Sequence, residues 1–582
     1  MTILILDGDS NAARAVLQSL GRKGYRCCLG APRIRSSAFA SRYVAQKVVY
    51  PDPLEDKLRF QSWLCRFQHR RGFELIIPAT ESTLIPLHEL REESGLGSVL
   101  AIPPAGAVEG AFDKEKLRRV AVSVGIPTPA SRFVSEQEWP DTSGVEQWVA
   151  RYPVVVKPTR SKVWTGQVGS ALHTRLAMSP DELRQHLSYL LALTTVQVQE
   201  WVPGRGIGVE VLAADGRVVM AFGHERLHEY PLTGGGSTYR RAMEPPPRLL
   251  EATTALMEAL RWHGVAMVEF RVDASSQREW LMEVNGRFWG SLPLAVGCGA
   301  DFPGALVDLL VHRRTPGKAA PWRGRYARNF AGDLQWTKEI LKNRSGGPHL
   351  LTRPLLRSLL EWFRPLSGRE IWDGASLRDP MPILHEVLQS TWSEIRGFAG
   401  RLRRRRLRDS VRRQTQSRLA TLAASSRHIL VLCYGNICRS PYAAARLRAL
   451  EESGDLLIRS TGFHPEAGRP TPENVRRIAA ARGIDLASHL SLTLDQESLD
   501  WADMILVMDR ATQRRLRDRD RRAGEKVIWF GALDSDSDVE IKDPYCLPAD
   551  EVAAILQKID RCAEALTATI QSARSTQESQ AW

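Results

Sequence analysis

The chain has 582 residues, a formal net charge of +14, and 43% hydrophobic and 25% charged residues. This length is too great for one hydrophobic core and predicts about three or four domains. No apolar run approaches the length of a membrane span, and the first residues, Met1 to Asp7, lack the basic residues of a secretory signal. The composition therefore predicts a globular, cytoplasmic protein of several domains.

The N-terminal residues predict an open parallel sheet. A strand from Ile3 to Leu6 precedes the turn Asp7 to Ser10 and a helical pattern that reaches Leu20. A second strand, Glu74 to Pro78, repeats the alternation of strand, loop and helix. The first turn does not read Gly-x-Gly-x-x-Gly, so a dinucleotide-binding fold is poorly supported.

Two lysines further along the chain suit the phosphates of a nucleotide. Lys114 opens a helix that ends near Gly125, and Lys157 closes the buried strand that begins at Tyr152. Burying an unpaired ammonium group is costly, so Lys157 is expected to serve a ligand. The glycines of the next loop, Gly166 and Gly169, could let it close over that ligand.

A hairpin with two facing carboxylates follows. Val265 to Val272 and Trp280 to Val284 predict two strands, and a turn centred near Ser276 places Glu269 opposite Glu283. Asn285 and Arg287 lie on the same face. Facing carboxylates are tolerable around a divalent cation, so Glu269, Glu283 and Asn285 predict a magnesium site with Arg287 ready for phosphate.

These motifs resemble the ATP-grasp superfamily, especially members similar to the large subunit of carbamoyl phosphate synthase, over roughly residues 1 to 312. The resemblance implies that Lys114, Lys157 and Arg287 bind ATP, that Glu200 and Val202 line the adenine, and that Glu269, Glu283 and Asn285 bind Mg²⁺. The segment Thr159 to Lys162 replaces the denser glycine loop of better-studied members. Such enzymes activate a carboxylate as an acyl phosphate and join it to an amine or thiol. The small carboxylate and the acceptor stay open.

The region from the adenine segment to residue 425 carries weaker signals. His224 to Glu229 and Thr233 to Ser237 suit a mobile lid over an anionic acceptor, or a solvent loop. Residues 313 to 425 predict a helical linker. Its basic run, Arg401 to Arg418, contains one acid and no interleaved aromatic residue, which favours a solvated helix over a surface for nucleic acid or an anionic membrane.

The segment from Cys433 to Ser440 predicts a phosphate-binding loop. It lies between a strand-like run that ends at Leu432 and a helical run that opens at Pro441. Backbone N–H groups of Tyr434, Gly435, Asn436, Ile437 and Cys438 can surround an oxyanion there. A cysteine facing the helix dipole and Arg439 is expected to be a thiolate that attacks phosphorus, with Ser440 and Asn436 orienting it.

The loop and its downstream motifs resemble the low-molecular-weight protein tyrosine phosphatases over roughly residues 427 to 575. Ser460-Thr461-Gly462, Gly483 to Leu486 with His489, and Asp543-Pro544-Tyr545 follow in the family's order. The resemblance implies Cys433 as nucleophile, Arg439 as phosphate ligand and Asp543 as general acid, without a cofactor. Tyr434, Phe463 and Tyr545 are the expected walls of the slot, and Cys438 is the expected disulfide partner of an oxidised Cys433.

The whole chain is predicted to be α/β, with four parts. These are an α/β domain at 1–108, an ATP-grasp domain at 109–312, the linker at 313–425 and a doubly wound phosphatase domain at 426–575. The first hypothesis is a bifunctional phosphatase and ATP-dependent ligase. Its phosphatase substrate would be a phosphotyrosine protein, such as a bacterial tyrosine kinase in surface-polysaccharide control. A nucleotide-sensing N-terminal half, a scaffold with decayed sites and an arsenate-reductase-like C-terminal domain are the alternatives.

Overall fold

The structure is a computed structural model of residues 1–582. It describes the chain except for residues 35, 92–94, 139–148, 150, 274–275, 277, 317–323, 344–349, 352, 375, 377, 452, 536–537, 546, 548 and 581–582. The chain divides into two compact units, Met1–Thr391 and Trp392–Trp582. The mixed α/β class is the one that the sequence predicts.

Unit 1 begins with a parallel four-stranded sheet in the order β3-β2-β1-β4. Its strands are β1 (Thr2–Ile5), β2 (Arg26–Ala31), β3 (Val44–Val49) and β4 (Leu75–Ile77), and its helices are Asn11–Arg22, Lys57–Arg71 and Glu81–Leu90. The first helix begins where Ser10 Oγ accepts the N–H of Ala13, which satisfies an otherwise free donor. The predicted alternation of strand and helix is confirmed.

A second sheet has the order β5-β10-β6-β9 and carries Lys157, whereas Lys114, the other predicted phosphate lysine, begins a helix. Its strands are β5 (Ser131–Val134), β6 (Val154–Pro158), β9 (Arg175–Ala177) and β10 (Val196–Glu200), beside a separate hairpin of β7 (Lys162–Thr165) and β8 (Val168–Ala171). Helices Ala105–Phe112, Lys114–Ser123 and Pro180–Leu191 belong to the same stretch of chain. The predicted glycine loop is thus a β-hairpin that turns at Gly166, where φ is +63°.

The third sheet of unit 1 has seven strands in the order β15-β14-β11-β12-β13-β16-β17. They are β11 (Arg205–Ala214), β12 (Arg217–Tyr230), β13 (Gly236–Met243), β14 (Gly264–Val272), β15 (Glu279–Asn285), β16 (Tyr326–Arg328) and β17 (Glu370–Trp372). The helices are Pro247–Ala259, Leu292–Gly297, Phe302–Leu310, Phe330–Lys342 and Leu355–Leu360, followed by the 3₁₀ turn Glu361–Ser367.

The sheet extends into the range predicted as a helical linker. β16 pairs with β13 and β17 pairs with β16, so these two strands belong to the large sheet of unit 1 and not to a helical linker. Strands of three residues give no alternation that a sequence can show, and their pairing partners are distant in the chain. The helix Met381–Leu422 does contain the basic run as predicted. Arg412 and Arg418 in it donate to the carbonyls of Asp534 and Val527, so this part of the run is packed and not fully solvated.

Unit 2 contains a parallel sheet in the order β19-β18-β20-β21. The strands are β18 (His428–Cys433), β19 (Leu457–Gly462), β20 (Met504–Val507) and β21 (Val527–Trp529), with helices Arg439–Leu450, Glu473–Ala480, Gln496–Trp501, Arg510–Arg519 and Ala549–Gln580. The central β18 is apolar on both faces because helices cover both sides of a parallel sheet. Across the described parts of both units, no helix is long and apolar enough to cross a bilayer.

Candidate functional site

Unit 1 contains a cavity of about 530 Å³ that gathers most of the predicted nucleotide and metal residues. The predicted residues on its wall are Lys157, Glu200, Val202, Glu269, Glu283, Asn285 and Arg287. Lys114 is not among the lining residues, but its charge lowers the pKa of Glu283. Strands of two different sheets therefore bring together residues that are scattered over more than a hundred positions.

The carboxylate hairpin has the predicted register. β14 and β15 are antiparallel, with Glu269 opposite Glu283 and Met267 opposite Asn285. Asn285 Nδ2 donates to Glu269 Oε1 at 3.0 Å and to Glu283 Oε1 at 3.2 Å. The amide thus joins the two carboxylates on one face of the hairpin.

Three charged residues of the cavity, Arg226, Glu229 and Arg271, were not predicted as partners of the hairpin, although Arg226 and Glu229 belong to the segment expected to form a lid. Arg226 on β12 forms an ion pair with Glu269 and lies 3.7 Å from Glu229, which also accepts from Arg271 at 3.3 Å. Burial opposes the charge of Arg226, but the surrounding glutamates raise its pKa above its ordinary value. Arg226 thus neutralises part of the negative charge of the hairpin.

The two hairpin glutamates differ in their pKa. Burial, and the charges of Glu283 and Glu229, raise the pKa of Glu269 despite the neighbouring Arg226. Burial also opposes ionisation of Glu283, but Lys114, Lys157 and Arg226 outweigh it and lower the pKa of Glu283. The local positive charge therefore favours the ionised form of Glu283.

These residues fit a magnesium ion whose coordination a ligand completes. Among the described residues, no group of three or more His, Cys, Asp or Glu side chains could hold a metal ion. Two carboxylates and one amide oxygen are nevertheless the hard ligands that Mg²⁺ prefers, and this ion commonly takes its remaining ligands from phosphate oxygens and water. A cation between Glu269 and Glu283 would also relieve the repulsion that raises the pKa of Glu269.

Lys157 is buried near the end of β6, away from any carboxylate of the described residues with which it could form an ion pair. Its residue is 9% exposed, and burial lowers the pKa of its ammonium group to about 8, while Glu283 acts in the opposite direction. Among the described residues, no carboxylate oxygen lies within ion-pair distance of its Nζ. An anionic ligand in the cavity would provide the missing countercharge.

Glu200 and Val202 occupy the end of β10 and the segment after it. Glu200 pairs with Ala130 through two hydrogen bonds: its backbone N–H donates to the Ala130 carbonyl at 2.9 Å and its Oε1 accepts from the Ala130 N–H at 2.8 Å. Val202 is buried. This arrangement offers a backbone edge and an apolar contact, which are the contacts a purine base uses.

The predicted histidine lid is wrong. His224 to Glu229 lie within β12, where His224, Glu225, His228 and Glu229 are buried. His224 Nδ1 lies 2.9 Å from Glu210 Oε1, which accepts from Ser291 Oγ at 3.0 Å, and burial lowers the pKa of His224. A histidine-rich polar run looks exposed in a sequence because the partners that permit its burial come from other strands.

The predicted phosphate-binding loop of unit 2 lies between a strand and a helix, as expected. β18 ends at Cys433, and the helix begins at Arg439, two residues before Pro441. The Asn436 N–H donates to Cys433 Sγ at 3.2 Å, and Ser440 Oγ lies 3.0 Å from the same sulfur. The sulfur thus accepts one backbone N–H and lies within hydrogen-bond distance of one hydroxyl group.

Asn436 fixes the shape of this loop. Its φ is +49°, a conformation that asparagine tolerates better than most residues. Its Nδ2 donates to Ser440 Oγ at 2.9 Å and to Ser460 Oγ at 3.1 Å, and its Oδ1 accepts from the Leu492 N–H at 2.7 Å. A Cβ on Gly462 would approach Asn436 N at 2.9 Å, which explains the glycine of the Ser-Thr-Gly motif.

Arg439 contacts two carboxylates at the mouth of the loop. Its Nη2 donates to Asp543 Oδ2 at 2.8 Å, and its Nη1 donates to Asp509 Oδ2 at 2.5 Å and to the Ile541 carbonyl at 2.9 Å. Burial opposes the charge of Arg439, but Cys433, Asp543 and Asp509 raise its pKa. Asp509 was not predicted. Its Oδ1 also caps the helix Arg510–Arg519 by accepting the Thr512 N–H. An aspartate directly before a helical run is the one sequence feature that could have drawn attention to this residue.

Of the three predicted aromatic walls, Tyr434 lines the opening beside Arg439 and Asp543, and Tyr545 is exposed two residues after Asp543. Tyr434 is 41% exposed and Tyr545 is 58% exposed, and the guanidinium of Arg515 lies 4.6 Å from the centre of the Tyr434 ring. Phe463 instead packs against the apolar core beside Leu430 and Leu432. Cys438 is buried in the loop.

Residues 428–576 match the family model described as low molecular weight phosphotyrosine protein phosphatase. The probable phosphatase EpsP of Ralstonia nicotianae is 32% identical over 137 residues, which are 24% of this chain and 91% of that protein. The chain belongs to the low molecular weight protein-tyrosine-phosphatase family. Another relative of this phosphatase domain is the protein-arginine-phosphatase of Geobacillus stearothermophilus, 32% identical over 142 residues, with 24% of this chain and 95% of that protein covered.

Residues 193–329 match the model described as ATP-grasp in the biosynthetic pathway with Ter operon. This segment contains β11 to β15 and therefore the whole carboxylate hairpin. The L-amino acid ligase of Bacillus licheniformis is a structural neighbour, with 18% identity, a TM-score of 0.41, and 53% of this chain and 74% of that chain covered. The chain thus joins an ATP-grasp segment to a phosphatase domain of the low molecular weight family.

Proposed function

We propose that unit 2 hydrolyses aryl phosphate esters on proteins through a phosphocysteine. The observation that carries this proposal is the position of Cys433 Sγ, which accepts the Asn436 N–H and lies beside Ser440. Next to it, Arg439 is held between Asp509 and Asp543. The exposed rings of Tyr434 and Tyr545 favour an aromatic ester over a smaller one.

In the proposed reaction Cys433 attacks phosphorus and its sulfur forms the new bond. Arg439 binds two equatorial phosphate oxygens in place of the Asp543 oxygen that it contacts here. Asp543, which is half-exposed, then donates its proton to the departing phenolate. The resulting carboxylate of Asp543 takes a proton from the water that hydrolyses the phosphocysteine. Asp509 keeps Arg439 oriented throughout.

The test of unit 2 compares phosphotyrosine and phosphoarginine peptides with and without chelator. We expect hydrolysis of the phosphotyrosine peptide that resists chelator and is abolished by thiol alkylation, since Cys433 and Arg439 bind phosphate without a cation. Activity that needs added magnesium would contradict the cysteine mechanism. A preference for phosphoarginine would leave the mechanism intact but refute the aromatic slot.

We propose that unit 1 binds ATP with Mg²⁺ and ligates a small carboxylate to an amine or thiol. ATP would supply the phosphoryl group that activates the carboxylate. Lys157 and Arg287 would neutralise its phosphates, Glu200 and Val202 would contact the base, and Glu269, Glu283 and Asn285 would hold the cation. In support of this proposal, the seven residues just named line the same cavity. Lys114 adds positive charge nearby.

A two-by-two experiment tests whether the chain is bifunctional. Cys433→Ser should abolish phosphatase turnover and leave magnesium-dependent ATP binding unchanged, and Glu283→Gln should do the reverse. Release of ADP that depends on an added carboxylate would distinguish a ligase from a nucleotide sensor. If the wild-type chain fails to bind ATP with magnesium, the assignment of unit 1 is wrong whatever unit 2 does.

The physiological setting proposed from the resemblance is surface-polysaccharide control, with a tyrosine kinase as the phosphoprotein and the cytoplasm as the location. It rests on the phosphatase domain. Phosphatase assays on a tyrosine kinase encoded beside this gene would test it. Failure to dephosphorylate that kinase, in a preparation active on phosphotyrosine peptides, would refute the setting without touching the chemistry.

A further inference from the structure

A stripe of large apolar side chains is exposed on the segment that follows the sixth strand of the large sheet. Leu356, Leu359, Leu360, Phe363 and Leu366 are 73%, 43%, 60%, 66% and 85% exposed. They lie on the helix Leu355–Leu360 and the 3₁₀ turn Glu361–Ser367. Their spacing of three and four residues is that of one helical face. These five residues form the apolar stripe.

The apolar stripe faces outward because the polar side of the same segment is buried. Ser358 is 1% exposed and Glu361 is 2% exposed. Glu361 Oε2 lies 2.9 Å from His228 Nε2, and the Glu361 carbonyl accepts from Arg328 Nη2 at 2.7 Å. An amphipathic segment of a globular protein ordinarily turns its apolar face to the core. Here buried hydrogen bonds hold the segment in the opposite orientation.

The next helix adds further exposed apolar residues within unit 1. Met381, Leu384, Val387 and Leu388 are 51%, 48%, 40% and 49% exposed. The described residues between 356 and 388 thus include nine exposed large hydrophobic side chains. Such concentration is uncommon on a protein that meets only water, and it marks a surface that contacts an apolar partner.

The charges around the apolar stripe identify the chemistry of that partner. Five acids lie among the described residues between 353 and 388. Glu361 and Asp379 are at most 2% exposed. The other three, Glu370, Asp373 and Glu386, form ion pairs with Arg328, Arg240 and Arg14. In contrast, the side chain of Arg357 is 68% exposed, although its Nε lies 3.7 Å from the buried Glu361 Oε1, and Arg369 and Arg378 are exposed. The surface therefore offers apolar groups and positive charge together.

We propose that the apolar stripe binds the surface of an anionic lipid bilayer. The leucines and Phe363 would enter the boundary between headgroups and acyl chains, and Arg357 would remain at the lipid phosphates. A second copy of the chain is a poorer occupant because two stripes would bring their arginines together with no exposed acid of this region to pair with them. The proposal does not depend on either enzymatic activity.

Sedimentation of the full-length chain with vesicles tests the proposal. We expect binding to vesicles that mix phosphatidylglycerol with phosphatidylcholine, weak binding to phosphatidylcholine alone, and loss of binding as salt is raised. Leu360→Asp with Phe363→Asp should weaken binding by about a hundredfold, from the apolar area that the two side chains would bury. Arg357→Ala should weaken it by about fivefold. Leu366→Asp, at the most exposed position, provides a second and milder variant.

The matched control is Leu58→Asp with Val122→Asp, which changes two apolar residues that are 50% and 57% exposed on other helices of unit 1. We expect this control to bind vesicles as the wild type does. Equal loss in the control, or no binding of the wild type to anionic vesicles, would overturn the proposal. Sedimentation velocity without lipid gives the remaining outcome: a dimer that dissociates in the stripe variants would assign the surface to a second copy instead.

Discussion

Lys157 offers a quantitative test of the nucleotide site because its burial predicts that the protein takes up protons when ATP binds. Burial lowers the pKa of its ammonium group from 10.5 to about 8 in the ligand-free protein. A bound polyphosphate would supply negative charge and raise that pKa again. Any Lys157 that is neutral before binding must therefore take up a proton when ATP binds.

The expected uptake follows from the fraction of neutral lysine. With a pKa of about 8, that fraction is about a tenth at pH 7, about half at pH 8 and about nine-tenths at pH 9. Affinity for ATP should accordingly fall about tenfold between pH 7 and pH 9. The direction is fixed, since only the protonated form attracts phosphate and it is depleted as the pH rises.

Calorimetry of ATP binding in buffers of different ionisation enthalpy measures the protons directly. Lys157→Arg should bind ATP with magnesium but lose the pH-dependent uptake, because a guanidinium stays charged over this range. Lys157→Met should lose measurable binding. Burial raises the pKa of Glu269, so this carboxyl group can release a proton when a cation binds. Because the arginine variant keeps Glu269, the difference between the wild type and this variant reports the protons taken up by Lys157 alone. Uptake in the wild type that matches the arginine variant at every pH would refute the assignment of Lys157.

Three further predictions concern unit 2. Asp543→Asn should slow hydrolysis of an ester with a poor leaving group by about a hundredfold and spare one with an acidic phenol; equal losses on both would remove Asp543 as the acid. Asp509→Asn, which retains an oxygen for the cap at Thr512, should raise KM by about tenfold through loss of a charged hydrogen bond to Arg439, and an unchanged KM would mean that Asp509 only caps the helix. In Cys438→Ser, thiols should restore less activity after mild peroxide than in the wild type, and identical recovery would leave Cys438 as a spacer of the loop.

The sequence by itself determined the features whose geometry is local. Glu269 lies opposite Glu283, as a turn centred near Ser276 predicts, although the structure adds a register shift between Glu269 and Phe270 that residue counting does not show. The loop from Cys433 to Ser440 likewise places a nucleophile and an arginine within one turn between a strand and a helix. In both cases the interacting residues are close in the chain, and backbone geometry alone brings them together.

Only the tertiary structure decided which distant charges neutralise these sites. Arg226 reaches Glu269 from β12, and Asp509 reaches Arg439 from the loop after β20. It also decided that the histidine-rich run is buried, since Asp333 and Glu361 pair with His228, and that Glu361 turns the apolar stripe outward. A charged residue can be buried only where partners satisfy it, and those partners come from elements that the chain order does not place beside it.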